Sequence, residues 1–214
     1  MAHRRRSLGT NTALKIIETI DRGNAKSQRV LAKEAEIALG MANTYVKRFM
    51  RKGWIKVVQA PAHRYFYYLT PKGFKEKARL TAEYLSDSFA MFRVARNQCD
   101  ELLANCIALG YERIAVAGAS DFAEIAALSA RNSNIEITVV IDATSNQPDV
   151  AGIPVVHDLS EAGRVDAIIV TDLNAPQKTF DTLIKSMPEA EVLTPPMLRI
   201  DRTSRFRDLG GLIR

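Results

Sequence analysis

The chain has 214 residues, 47% of them apolar, and a formal net charge of +6; this length holds two small domains or one medium one around real cores. No run reaches the roughly 18 apolar residues of a membrane-spanning helix, and the basic start "MAHRRRSLG" lacks the apolar core of a secretory signal. A globular cytoplasmic protein without membrane contact is expected.

The charge is unevenly divided. Residues 1–80 carry 18 Lys+Arg against 5 Asp+Glu, and the remainder carries 12 against 19. A basic third followed by an acidic remainder suits a polyanion partner, because cations that neutralise phosphates release condensed counterions. A merely solubilising face is the alternative.

Residues 1–9 read as a disordered basic arm whose Arg4, Arg5 and Arg6 touch duplex backbone or enter a minor groove; backbone contact is favoured. A first helix follows in "TALKIIETIDRGN", with Leu14, Ile16, Ile17 and Ile20 at helical spacing and Gly23 at its end. A second, "SQRVLAKEAEI", has Ser27 as N-cap and Val30, Leu31, Ala32 and Ala35 turned inward. A tight turn near Gly40 leads to a third, in which Ala42, Tyr45, Val46 and Phe49 form one stripe and Gly53 the stop. Two strands, "WIKVVQ" and "RYFYYLT", flank a loop containing Pro61, Ala62, His63 and Arg64. Helix, turn, helix and hairpin make a winged helix-turn-helix over residues 10–70.

The stretch "SQRVLAKEAEIALGMANTYVKRFMRKGWIKV", closed by "YYLTPKGFKEKARL", resembles the MarR-type winged-helix regulators, in particular those associated with exopolysaccharide genes. The resemblance covers residues 10–85 and is carried by Lys52, Gly53, Trp54, Ile55 and the run Leu69, Thr70, Pro71, Lys72, Gly73. It implies binding to double-stranded DNA as a dimer. The residue chemistry agrees independently. A helix in the major groove needs short polar groups for base edges and long cations for phosphates, and Asn43, Thr44, Lys47, Arg48 and Arg51 supply both. Asn43 is the expected adenine reader. Ser27 and Gln28 stand at a helix start, where free N–H groups favour a phosphate. His63 and Arg64 belong to the wing, His63 otherwise being an exposed loop histidine. Tyr65, Phe66, Tyr67 and Tyr68 are expected mainly in the wing core.

Residues 71–110 show no breaker after Gly73 and predict a long connecting helix. Ala78, Leu85, Phe92, Cys99 and Cys106 recur every seven residues, with Thr81, Ser88, Ala95, Leu102 and Leu109 three later. Such a seam suits dimerisation, the alternative being a helix packed within its own chain. Cys99 and Cys106 read as buried reduced thiols, with a redox switch as the alternative.

From residue 111 strands and helices alternate, and runs such as Val139–Ile141 and Ile168–Val170 predict strands buried on both faces. The fold class is therefore α/β: an N-terminal winged helix-turn-helix, a long connecting helix and a small C-terminal Rossmann-like parallel sheet over residues 111–196. In such a sheet ligands sit beyond the carboxyl ends of the strands. Three loops are expected to converge there, supplying Gly118, Ala119, Ser120, Asp121 and Phe122, then Asp142, then Thr171 and Asp172. Asp142 lies 24 residues beyond Gly118, close to the roughly 20 between a glycine turn and a ribose-binding acid.

The segment from "VAGASDFAEIAALSARN" to "GIPVV" resembles the Rossmann-like nucleotide-binding domains of bacterial nucleotide-sugar enzymes, including sugar dehydratases and bacillosamine-type acetyltransferases. The resemblance implies a nucleotide, commonly a uridine diphosphate sugar, held by the first turn and the acid. Two positions depart from the pattern: Ser120 replaces the second glycine, and Ala123 stands where a third often lies. Asp121 suits a cap and repels a phosphate. A structural domain without a ligand is the alternative.

Neither a catalytic module nor a metal-ligand cluster is legible, and His157 with Asp158 reads as a surface pair rather than a base and its orienter. The expected function is a dimeric transcription regulator, a repressor by preference and not an enzyme, that senses a nucleotide or nucleotide sugar, possible targets being polysaccharide genes. The alternatives are a Rossmann-like domain used only for dimerisation or partner docking and, third, an NAD(H) sensor similar to the Rex repressors. Residues 197–214 form a basic tail that packs on a partner chain or stays mobile.

Overall fold

A computed structural model describes residues 2–25, 27–60 and 64–203, the side chains of 2–8, 60 and 64 excepted. The chain divides into two compact units, Met1–Ala90 and Met91–Arg214.

In the first unit, helix α1 spans Ala2–Asp21, α2 Gln28–Glu34 and α3 Leu39–Arg51. Strands β1 (Ile55–Ala60) and β2 (Arg64–Leu69) pair antiparallel, and α4 runs from Pro71 to Ala108. The backbone from Ala2 is thus helical, where the composition of residues 1–9 suggested a disordered arm. The core joins Leu14, Ile16, Ile17 and Ile20 of α1 to Leu31, Val46, Phe49, Trp54, Ile55 and Tyr67. Half-buried Val30 lies outside the fully buried set.

The turn between α2 and α3 is not made by Gly40, which lies inside α3. It is made by Glu36, whose φ is 54°. The Glu36 N–H donates to the Lys33 carbonyl at 3.1 Å and the Ile37 N–H to the Ala32 carbonyl at 2.9 Å. This paired closure of a helix end around one left-handed residue usually takes glycine. Glycine does play that part at the end of α3, where Gly53 has φ 69° and Trp54 N–H returns to the Phe49 carbonyl at 2.9 Å.

The wing alternates cleanly. Val57 faces Tyr67 and Ile55 faces Leu69 on the inner side, while Val58 opposite Phe66 and Lys56 opposite Tyr68 stand on the outer side. Only Tyr67 of the four consecutive aromatics is buried; Phe66 and Tyr68 stand on the uncovered face of the ribbon, and Tyr65, on the same face as Tyr67 but nearer the wing tip, is exposed as well.

The second unit contains the later part of α4, then β3 (Arg113–Ala117), α5 (Asp121–Ala130), β4 (Glu136–Ile141), β5 (Asp149–Val150), β6 (Ile153–Val156), β7 (Ala167–Val170), α6 (Pro176–Leu183) and β8 (Val192–Leu193). The sheet order is β5-β6-β4-β3-β7-β8, parallel except for the β5–β6 hairpin. That hairpin turns on Ala151 and Gly152, both at positive φ, which explains the run "AGIPVV" as a tight turn followed by the strand that joins edge strand β5 to β4. The central strands are buried on both faces, as continuous apolar runs require.

The heptad seam divides in two. Ala95, Cys99 and Cys106 of the seam, with Leu103 beside it, are buried against Ile114, Phe122, Val140 and Ile169 in the second unit's own core, while Leu102 is half-buried and Leu109 exposed. Tyr84, Leu85, Phe89, Met91, Phe92 and Val94 on the same helix are exposed. Both cysteines are free thiols; burial pushes Cys99 up to about 12 and Cys106 up to about 11.

Candidate nucleic-acid interface

The interface is built on α2 and α3. Ser27 caps α2, its hydroxyl oxygen accepting from the Val30 N–H at 3.3 Å. The Gln28 side chain lies beside the Tyr67 hydroxyl, where the start of α2 approaches the wing. Burial raises the Tyr67 pKa, opposed by the Gln28 side chain. Of the two residues expected to receive a phosphate, Ser27 is exposed and Gln28 is half-buried.

On α3, Ala42, Val46 and Phe49 are buried and fix the helix against the core. Asn43, Lys47 and Arg51, spaced four apart, therefore share a ridge on the opposite side, and Thr44 and Arg48 form the next. Thr44, Lys47, Arg48 and Arg51 are exposed; Asn43 is half-buried. Thr44 donates its hydroxyl proton to the Gly40 carbonyl at 2.9 Å, leaving its oxygen as an acceptor. Arg48 is exposed and also borders a cleft with Thr10, Lys52, Trp54 and Glu83. Beyond it, Lys52 stacks over the Trp54 ring, its ammonium 4.5 Å from the centroid.

Lys15 pairs with Glu36, Lys77 with Asp21, and Arg79 with both Glu76 and Glu83. Among the described residues, Lys47, Arg48 and Arg51 form no ion pair with a carboxylate, and α3 contains no acid to offer one. Lys15, Arg22, Lys77 and Arg79 are matched within this unit, while the three exposed cations of α3 are available to an outside anion. His63 lies outside the described residues, as do the side chains of Arg64, Arg4, Arg5 and Arg6.

The three loops at the carboxyl ends of β3, β4 and β7 do meet. They meet by bonding to one another. The Ala119 N–H donates to Asp142 Oδ2 at 2.9 Å, while Asp142 Oδ1 accepts from Thr144 N–H and hydroxyl, both at 2.8 Å, and from Ser145 N–H at 3.1 Å. Partial burial alone raises the Asp142 carboxyl, and these donors outweigh it and hold the group below the usual carboxylate range. Gly118, at φ 110°, packs so closely on Asp172 that an added Cβ stands 2.5 Å from that residue's backbone. Asp172 accepts from Asn174 and Ala175 N–H groups at 2.8 and 3.1 Å and from the Thr179 hydroxyl at 2.6 Å.

Ser120, not Asp121, is the N-cap of α5: its oxygen accepts from the Phe122 N–H at 3.2 Å and its hydroxyl donates to the Thr171 carbonyl at 2.7 Å. Asp121 is the first helical residue and exposed, where a carboxylate favours the helix dipole. Phe122 and Thr171 are turned into the interior, with Thr171 bonded to the Gly118 carbonyl at 2.8 Å. These two face away from any crevice. Asp158 caps the following helical turn through the Ser160 N–H, and His157 Nδ1 lies 3.1 Å from the Asp142 carbonyl oxygen, so this pair has separate tasks.

Residues 10–56 match the family model for winged helix-turn-helix DNA-binding domains. No curated protein matches the chain. The matched span contains α2, α3 and the beginning of β1, so this unit is a DNA-binding winged helix. Among the described residues no helix is long and apolar enough to cross a membrane, and no cluster of His, Cys, Asp and Glu is arranged to hold a metal.

Proposed function

We propose that the chain is a homodimeric transcription regulator, a repressor, that inserts α3 into the major groove of double-stranded DNA. The carrying observation is the row of exposed cations Lys47, Arg48 and Arg51 on the side of α3 turned away from the core, within the span that matches a winged helix-turn-helix DNA-binding domain. Lys47 and Arg51 reach phosphates, Asn43 and Thr44 read base edges, and Ser27 presents a helix start to the backbone. Arg48 contributes from the cleft edge, and His63 and Arg64 extend the contact through the wing.

The dimer is supported by the exposed apolar stretch of α4, where Phe89 and Met91 are each 60% accessible. Patches of this kind mark interfaces, and two-fold symmetry matches paired half-sites on a duplex. Leu85, Phe89 and Phe92 are the residues we assign to it.

The sheet unit is read as a dimerisation or partner module, because the crevice's polar groups are spent on one another. A nucleotide-sugar sensor, as in the MarR-type and nucleotide-sugar resemblance, is the second reading; the meeting of the three loops favours it. NAD(H) ranks below, for want of the second and third glycines. Calorimetry with uridine diphosphate glucose and NAD(H) separates these readings: saturable binding weakened by Asp142→Ala establishes the sensor.

The principal test is fluorescence anisotropy with duplex DNA across a salt series. Tight binding at low ionic strength that weakens steeply with salt is expected. Absence of duplex binding at low salt would remove the reading. For the dimer, light scattering should give twice the chain mass, and Phe89→Asp should halve it.

A further inference from the structure

A second cleft, of about 300 Å³, lies inside the second unit between the later part of α4 and the end of α5. Arg96, Asp100, Leu103 and Ile107 line it from α4, with Ser129 and Asn132 opposite. It shares no residue with the loop crevice.

Ser129 is the singular feature. It is 3% exposed, and its hydroxyl has no hydrogen-bond partner among the described residues. A buried hydroxyl left unsatisfied is costly, and natural interiors avoid it unless something else supplies the partner. Beside it, Arg96 and Asp100 are four residues apart on one helix and only loosely paired, Nε to Oδ2 being 3.9 Å with both side chains nearly half exposed. Each can turn to another partner with little loss. Leu103 adds an apolar floor, and Asn132 a group that both donates and accepts.

We infer that this cleft binds a small anion that carries a hydroxyl or amino group next to its charge. The carboxylate or phosphate accepts from the Arg96 guanidinium and the Ser129 hydroxyl, and the neighbouring hydroxyl or ammonium donates to Asp100. The volume lies at the lower end of ligand pockets, which suits a molecule the size of an amino acid or a sugar phosphate and not a dinucleotide. This inference does not rest on the DNA-binding reading.

The test uses the full chain, with glucose 6-phosphate as the phosphate probe and glutamate as the carboxylate probe. Saturable binding of one of them at millimolar concentration, with a rise in Tm, is expected, and which one binds identifies the anion. Arg96→Gln should weaken that binding at least about tenfold, the effect of losing a charge-assisted hydrogen bond. Ser129→Ala should weaken it too, while raising the Tm of the protein without probe, since the unsatisfied hydroxyl is gone. Failure of both probes to bind overturns the inference, and so does binding left intact by both substitutions. A lower Tm for Ser129→Ala without probe would show that the hydroxyl is satisfied within the fold, and would overturn it independently.

Discussion

Gly73, in the first turn of α4, lies against the backbone of Trp54: a Cβ on Gly73 would stand 2.0 Å from the Trp54 carbonyl oxygen. That carbonyl also accepts from the Thr70 N–H at 2.9 Å, while the Thr70 hydroxyl donates to the Gly53 carbonyl at 2.6 Å and accepts from the Gly73 N–H at 3.1 Å. The run "LTPKG" is thereby explained. Thr70 caps the helix, Pro71 occupies its first position, and Gly73 leaves room for the end of the wing. Gly73→Ala should destabilise the winged helix by about 1–3 kcal/mol, the usual cost of forcing an atom into a packed site. Urea unfolding followed by Trp54 fluorescence measures this; an unchanged midpoint would contradict the close contact.

Lys47 and Asn43 share a ridge yet should fail differently when removed. Lys47→Ala should weaken binding to all duplexes alike and reduce the slope of log K against log salt by about 1. Asn43→Ala should leave that slope unchanged and cost about 1–3 kcal/mol of discrimination at one base pair. Anisotropy titrations on a set of single-base operator variants distinguish the two. If Asn43→Ala alters no base preference, its partial burial serves packing alone.

The depressed Asp142 carboxyl makes stability depend on acid. Its pKa is lower folded than unfolded, so the unfolded chain binds the proton more readily. The stabilisation is complete above the unfolded value of about 4 and is lost as pH falls through the folded one. Asp166, held down by the Arg113 and Glu112 N–H groups, acts in the same sense. Thermal melts from neutral to acidic pH should fall less steeply for Asp142→Asn than for the parent chain. Parallel curves would mean that the loop bonds do not hold the carboxylate.

Cys99 and Cys106 should stay unreactive in the native protein. Burial disfavours the thiolate, the nucleophilic form, and raises both pKa values far above neutrality. Iodoacetamide should label neither at neutral pH until denaturant is added. Rapid native labelling of either would restore the redox alternative.

Much of this architecture was readable in advance because local chemistry dictates it. The apolar spacing of Leu14, Ile16, Ile17 and Ile20, the Ser27 cap, the stops at Gly23 and Gly53 and the all-apolar strands need only nearest neighbours and burial to be interpreted. The cations of α3 were visible as residues. Their exposure was not, since it depends on Ala42, Val46 and Phe49 being the residues buried against the core. Other outcomes turned on partners distant in the chain. Glu36 takes a left-handed turn that sequence assigns to glycine, Gln28 lies beside Tyr67, and Ser120 displaces Asp121 as a cap. The seven-residue seam looked uniform along α4, but the sheet covers Cys99 and Cys106 and leaves Phe89 and its neighbours open. The loops after β3, β4 and β7 meet as expected from the alternation of strands and helices, while their polar groups proved to be committed to one another. Periodicity records which face of an element is apolar; what that face or a polar group meets is set by chain segments far away, and no local pattern encodes them.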